Sequence, residues 1–185
     1  IIPFSIGTAY TSLIGDAQIL KGQKLLIHGA GGAVGQMAVQ IAKTKGLYVI
    51  GTAKGTNISE LENLGIDQVI DYSKNDFSKE VENLDVILDL VGGETLSKSY
   101  QLLKKGGVIV STTQPPSESE LMKHGISGKM TFTLNNPVKF QQINEWIEKG
   151  LISIKKPEVF DFSDAKKALS LVENRNSKSK IIFNF

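Results

Sequence analysis

Short apolar runs alternate with segments of helical periodicity between residues 24 and 110. The apolar runs predict five strands, at 24–28, 48–52, 68–71, 85–89 and 108–110. The segments between them predict helices over 33–45, up to residue 64, over 76–82 and over 94–103. Because strands that alternate with helices form parallel sheets, the pattern predicts a doubly wound α/β domain, the Rossmann fold.

This regular alternation ends at a polar loop around Pro115 and Pro116. Beyond it we predict strands over 130–134, 159–162 and 181–185 and helices over 138–149 and after Ser163. The last helix has a capping Ser163–Asp164 pair and an apolar face of Ala165, Ala168, Leu169 and Val172. We expect a dinucleotide-binding domain over residues 1–150 and a separate C-terminal α/β segment over 151–185.

A glycine-dense turn joins the first strand to the first helix. It consists of Gly29, Ala30, Gly31, Gly32, Ala33, Val34 and Gly35. Glycine permits a sharp turn, a close approach of the backbone to a diphosphate and a helix start packed on the strand. The helix also directs unpaired N–H groups and the positive end of its dipole at that position. The turn therefore predicts a dinucleotide site, with a ligand-free tight turn as the alternative.

The composition of the chain excludes several kinds of site and partner. The chain of 185 residues has no cysteine and two histidines, which excludes disulfides, thiolate zinc sites and a histidine metal cluster. Its net charge of +2 is dispersed, so nucleic acid is not an expected partner. No apolar run approaches the roughly 20 residues of a membrane span, and no secretory signal is evident, so we predict a cytoplasmic protein. The first residue, Ile1, suggests a fragment of a longer protein.

The residues after the second predicted strand indicate which dinucleotide is bound. An NAD site usually has a carboxylate about 20 residues beyond the glycine turn, but residues 46–59 contain no Asp or Glu. Thr52, Ala53 and Lys54 instead leave room and positive charge for a 2′-phosphate, which predicts NADPH. Ligands of open α/β sheets bind at the carboxyl ends of strands, and the candidates there are Val91, Gly92 and Ser111.

Five motifs in order resemble one family. They are Thr8-Ala9-Tyr10, the segment 26–35, the segment 64–72, the segment 88–93 and Lys105-Gly106-Gly107. Together they make the chain similar to the cofactor-binding half of the zinc-independent medium-chain dehydrogenase/reductases, the quinone oxidoreductase group that includes zeta-crystallin.

The resemblance implies further features. An N-terminal GroES-like domain, absent here, would supply most of the substrate pocket and pack against the C-terminal segment. The strand over 130–134 would pair across a homodimer. Thr8 would contact the nicotinamide carboxamide, while Tyr72 and Arg175 would meet the 2′-phosphate.

The implied reaction is hydride transfer to a quinone or an α,β-unsaturated carbonyl, both small-molecule acceptors, and we assign no catalytic residue and no metal ligand. Two alternatives stay open: a non-enzymatic nucleotide-sensing or structural protein, and a methyltransferase. The methyltransferase fits less well, because His28 and Gly51 occupy the positions where its acidic residues are expected.

Overall fold

The computed structural model describes residues 2–132, 137–174 and 179–185. Within these residues the chain divides into two compact units, residues 2–152 and residues 153–185. The larger unit contains a six-stranded sheet, and the smaller one contains a pair of strands with one helix. None of the helices in the described ranges is long and apolar enough to cross a membrane.

All six strands of the larger sheet are parallel. They are β1 Lys24–His28, β2 Tyr48–Ala53, β3 Gln68–Asp71, β4 Leu84–Asp89, β5 Leu103–Ser111 and β6 Ser127–Met130. Their spatial order is β3-β2-β1-β4-β5-β6, so the direction of winding reverses between β1 and β4. The predicted doubly wound α/β fold is confirmed, and this reversal is the point where such sheets bind ligands.

Helices connect these strands. Those of the larger unit are α1 Ile2–Tyr10, α2 Ala33–Thr44, α3 Ile58–Asn63, α4 Gly93–Ser99, α5 Glu118–His124 and α6 Pro137–Glu148. A π-helical turn over Thr11–Asp16 extends α1, and 3₁₀ turns occupy Gly55–Asn57, Phe77–Lys79 and Tyr100–Leu102. The helix predicted over 76–82 is therefore a single 3₁₀ turn, and the one predicted over 94–103 ends early because Leu103 already belongs to β5.

The core lies on both faces of the sheet because side chains alternate along each strand. Leu25 and Ile27 of β1 are fully buried on one face, in a cluster that includes Ile41 of α2 and Trp146 of α6. Leu26 points the other way, into a second cluster that includes Leu96 of α4. Burial on both faces explains why the central strands are continuous apolar runs.

The region after β5 differs from the sequence prediction in two ways. The alternation does not stop at Pro116, because α5 and β6 add one more helix and one more parallel strand. The strand predicted over 130–134 instead ends at Met130, with Phe132 beyond it, and residues 133–136 lie outside the described residues. Both errors have one cause: α5 buries no residue and β6 alternates exposed with half-buried positions, so neither has a strong apolar pattern.

The smaller unit pairs β7 Glu158–Asp161 with β8 Ile181–Asn184 in parallel and contains α7 Ala165–Glu173. A 3₁₀ turn over Phe162–Asp164 precedes α7, and the predicted Ser163–Asp164 pair makes no side-chain capping bond there. Of the predicted apolar face of α7, Ala168 is buried, whereas Leu169 and Val172 are exposed within this unit.

Candidate functional site

The loops that leave β1 and β4 meet at the carboxyl edge of the sheet. Gly29, directly after β1, has a φ of +74°, which favours glycine. A methyl group added to it would lie 3.4 Å from Cγ2 of Val91, in the loop after β4. The two loops therefore line the same cleft, which lies at the point where the winding of the sheet reverses.

The glycine turn holds the first turn of α2 directly on β1. A methyl group at Gly35 would lie 2.6 Å from Cα of Ala30 and would also meet the carbonyl oxygen of Gly29. The N–H of Gly32 donates to that carbonyl at 3.0 Å, and Nε2 of Gln36 donates to the carbonyl of Gly31 at 3.0 Å. This arrangement directs the open N–H groups of the helix start into the cleft, which fits a diphosphate.

Ala30 stands where the dinucleotide-binding pattern Gly-x-Gly-x-x-Gly has its first glycine, and β2 provides the space for its side chain. Ala30 is fully buried. A methyl group at Gly51 would lie 2.6 Å from Cβ of Ala30 and 2.7 Å from Cδ1 of Ile66. The glycine required for close packing is thus on the neighbouring strand.

His28, the last residue of β1, stabilises the start of the turn from inside the core. It is fully buried, with Nδ1 3.2 Å from Oγ1 of Thr52 and Nε2 2.9 Å from Oγ of Ser99. Because Ser99 donates its own proton to the carbonyl of Thr95 at 2.6 Å, it accepts from Nε2, and Thr52 donates to Nδ1. The Thr52 oxygen in turn accepts the N–H of Gly29 at 3.3 Å.

Burial lowers the pKa of His28 to about 4, although the carboxylate of Asp89 acts in the opposite direction. The ring is consequently neutral near pH 7, in keeping with the hydrogen bonds assigned to it. Thr52, a predicted cofactor contact, has its hydroxyl committed to this network, so its side chain supports the turn rather than facing the cleft.

Asp89, the last residue of β4, stabilises the loop that follows that strand. It is fully buried, and its Oδ1 accepts the N–H groups of Val91 at 3.2 Å and Gly92 at 3.0 Å. Its Oδ2 accepts the hydroxyls of Ser111 at 2.8 Å and Thr113 at 3.3 Å. The loops after β4 and β5 are therefore tied together, and the side chain of Val91 is left about half exposed at the cleft.

Two of the three residues predicted to meet a 2′-phosphate lie at the ends of β2 and β3. Lys54 and Tyr72 are both exposed there, and the N–H of Tyr72 donates to the carbonyl of the buried Ala53 at 3.3 Å. Arg175 lies outside the described residues. Thr8 is buried in α1, where its hydroxyl donates to the carbonyl of Phe4 at 2.8 Å.

Three residues that shape this edge were not predicted from the sequence. Asp89 was identified as the end of a strand and as part of the segment 88–93, but without a role in holding the loops, although a carboxylate at the end of an apolar strand is itself a signal. Gly51 was identified as part of the strand end, without its packing role. Asn57 lies against Gly31, and a neutral amide in a polar loop gives no recognisable signal.

The described residues do not fit a zinc ion. They contain no group of three or more His, Cys, Asp or Glu side chains placed to hold a metal. His28 is enclosed in its network, and His124 lies 3.4 Å from Glu120 on the exposed helix α5.

An open parallel sheet with a glycine turn at its reversal point is typical of a Rossmann-type nucleotide-binding domain. A family model described as zinc-binding dehydrogenase matches residues 64–183, more than half of the chain. The chain belongs to this family, among the medium-chain dehydrogenase/reductases.

Individual relatives agree with this assignment. The chain is 24% identical to the mitochondrial NAD(P)H oxidoreductase RTN4IP1 of Danio rerio, over 98% of the chain and 55% of that protein. It is 29% identical to the 2-methylene-furan-3-one reductase of Solanum lycopersicum, over 99% of the chain and 45% of that protein. The solved quinone oxidoreductase from Coxiella burnetii superposes with a TM-score of 0.87 at 28% identity, over 100% of this chain and 59% of that one. The chain thus spans about half the length of the curated relatives it matches.

Proposed function

We propose that this chain is the NADPH-binding domain of an oxidoreductase that transfers hydride to a quinone or an α,β-unsaturated carbonyl. The observation that carries the proposal is the fit of Gly35 on Ala30, which leaves no room for a side chain between α2 and the turn. Such a cradle suits a diphosphate, and similar proteins include an NAD(P)H oxidoreductase, a quinone oxidoreductase and a 2-methylene-furan-3-one reductase.

The preference for NADPH is supported by the chemistry at the end of β2. Lys54 is exposed there, and residues 46–59 contain no carboxylate that would accept the ribose hydroxyls of NADH. The carboxylate at the end of β3, Asp71, is occupied by the N–H of Ser73 at 3.0 Å and its hydroxyl at 2.6 Å. A doubly negative 2′-phosphate would therefore meet a lysine and no competing free carboxylate at β2.

The bound nicotinamide would supply the hydride chemistry. The residues of this chain would position it: the glycine turn holds the diphosphate, and the Asp89 network fixes the loop that presents Val91 to the cleft. We assign no acid or base here, and we propose that the acceptor pocket belongs largely to a GroES-like domain outside this chain. The segment 151–185 would pack against that domain.

Calorimetric titration of the chain with NADPH and NADH tests the cofactor. We expect NADPH to bind at least ten times more tightly, a difference of about 1.4 kcal/mol. Lys54→Gln should remove most of that preference by weakening NADPH alone. Lys105→Gln is the matched control, since Lys105 is also exposed but lies near the amino end of β5.

Equal binding of the two cofactors would refute the NADPH assignment, and binding of neither would refute the dinucleotide site in this chain. An acceptor screen on the full-length protein tests the reaction. NADPH binding without reduction of any quinone or enone would favour the nucleotide-sensing alternative.

We also propose a homodimer that pairs along the β6 side of the sheet. Its support is that β6 is the last strand in the sheet order and that the exposed Phe132 follows it. Sedimentation equilibrium should give a dimer for the parent chain and a monomer for Phe132→Asp; a monomeric parent chain would contradict the proposal. The cytoplasm is the proposed location, on the sequence pattern alone.

A further inference from the structure

Asn57 lies on the middle of the glycine turn. It ends the 3₁₀ turn Gly55–Asn57 that follows β2 and is half-buried. A methyl group at Gly31 would lie 3.0 Å from both Cβ and Cγ of Asn57 and still closer to its carboxamide nitrogen. The amide group is therefore placed over the backbone that a diphosphate would approach.

The side chain of Asn57 has no structural task that accounts for this position. Asn57 lies where this 3₁₀ turn continues into α3, and its side chain makes no capping bond there. Within the described ranges its carboxamide has no hydrogen-bond partner, and it is not among the residues with further interactions. A half-buried carboxamide that lies over the glycine turn and has no partner in the described ranges points to a ligand.

The backbone under Asn57 is held in place from β3. Asp71 accepts hydrogen bonds from the hydroxyl and the N–H of Ser73, and these bonds lower the pKa of its carboxyl. A methyl group at Gly55 would lie 2.7 Å from Oδ2 of Asp71, and the N–H of Asn57 donates to the carbonyl of Lys54 at 2.8 Å. The position of Asn57 is thus set by β3 and by its own turn.

We propose that the carboxamide nitrogen of Asn57 donates a hydrogen bond to the diphosphate of the bound dinucleotide, above Gly31. This inference rests on the proposed dinucleotide site but not on the preference for NADPH. NADPH, NADH and ADP-ribose all contain the diphosphate, so Asn57 contributes equally to the binding affinity of all three. Lys54, by contrast, is expected to act on NADPH alone.

Calorimetry of the full chain with NADPH, NADH and ADP-ribose tests this assignment. Asn57→Ala should weaken all three about tenfold, the size expected for a hydrogen bond to a charged group. Asn57→Asp has nearly the same shape and removes no side-chain capping bond, so it should fold, and its carboxylate should weaken binding of all three by more than tenfold because it repels the diphosphate. Asn63→Ala and Asn63→Asp are matched controls at the exposed end of α3 and should change no affinity.

The outcomes separate this inference from the proposed function. Unchanged affinities in both Asn57 variants, or a loss confined to NADPH, would overturn the role of Asn57 while leaving the site intact. Equal binding of NADPH and NADH by the parent chain would contradict the cofactor preference alone. Binding of none of the three probes by the parent chain would overturn both proposals.

Discussion

Gly35→Ala tests the close contact on which the dinucleotide site depends. The added methyl group would meet three backbone atoms, among them Cα and the carbonyl oxygen of Ala30, each at 2.6 Å. Backbone cannot rotate away as a side chain would, so α2 must move outward from the turn. That movement would displace the N–H groups that face the cleft.

The magnitude follows from two opposing effects. Alanine is favoured over glycine inside a helix by about 1 kcal/mol. Overpacking a rigid contact costs about 1–3 kcal/mol, and a contact made wholly with backbone belongs at the upper end. We therefore expect a net loss of about 2 kcal/mol in unfolding free energy, which corresponds to a fall in Tm of about 4–8 °C at about 2–4 °C per kcal/mol for a protein of this size.

Urea unfolding and calorimetric titration with NADPH measure the two consequences. Gly15→Ala is the matched control, because Gly15 is also helical and a methyl group there would lie 3.8 Å from its nearest neighbour, Cγ2 of Thr11. The control should be as stable as the parent chain or slightly more so, with unchanged affinity. If Gly35→Ala matches the control in both stability and affinity, the close approach of α2 to the turn is not needed for either.

Three further predictions concern the contacts around the turn and in the Asp89 network. Gly51→Ala should cost about 1–3 kcal/mol by overpacking against Ala30, and adding Ala30→Gly should recover part of that loss in a double-mutant cycle; additive effects would contradict the packing argument. Because the folded pKa of His28 is about 4 and the unfolded value about 6.5, the unfolded state binds a proton first as pH falls, so stability is lost between about pH 6.5 and 4. Urea unfolding should show about 3 kcal/mol more loss over that window for the parent chain than for His28→Gln, and equal losses would refute it. Ser111→Ala should cost about 1–3 kcal/mol in thermal unfolding because it leaves one buried oxygen of Asp89 with a single weaker partner, and an unchanged Tm would contradict the network.

The sheet could be predicted because its central strands are buried on both faces. Such strands are continuous apolar runs, and β1 and β4 were accordingly predicted to within a residue of their observed limits. β6 pairs with β5 through backbone hydrogen bonds but alternates exposed with half-buried positions, so apolar periodicity could not reveal it. The same limit applies to α5, which lies on the surface and buries no residue.

The glycine turn could be predicted because its requirement is local. A sharp change of direction after a strand needs residues without Cβ, and these follow one another in the sequence. The residues that hold the turn in place could not be predicted in the same way, because each contact joins distant segments. Gly51 matters because Ala30 and Ile66 lie against it, and Asn57 matters because Gly31 leaves it room.

These long-range contacts approach the turn from three directions. Thr52 of β2 binds the N–H of Gly29, Val91 after β4 lies against Gly29 from the other side, and Asn57 covers Gly31. Each is fixed in turn by a separate strand, so the backbone is held in shape without any ligand. A site that is already formed loses little conformational entropy on binding, and a diphosphate that enters it gains its hydrogen bonds without first ordering the loop. The glycines therefore permit the backbone conformation of the turn. Side chains from β2, from the loop after β4 and from the 3₁₀ turn after β2 hold the backbone in that conformation.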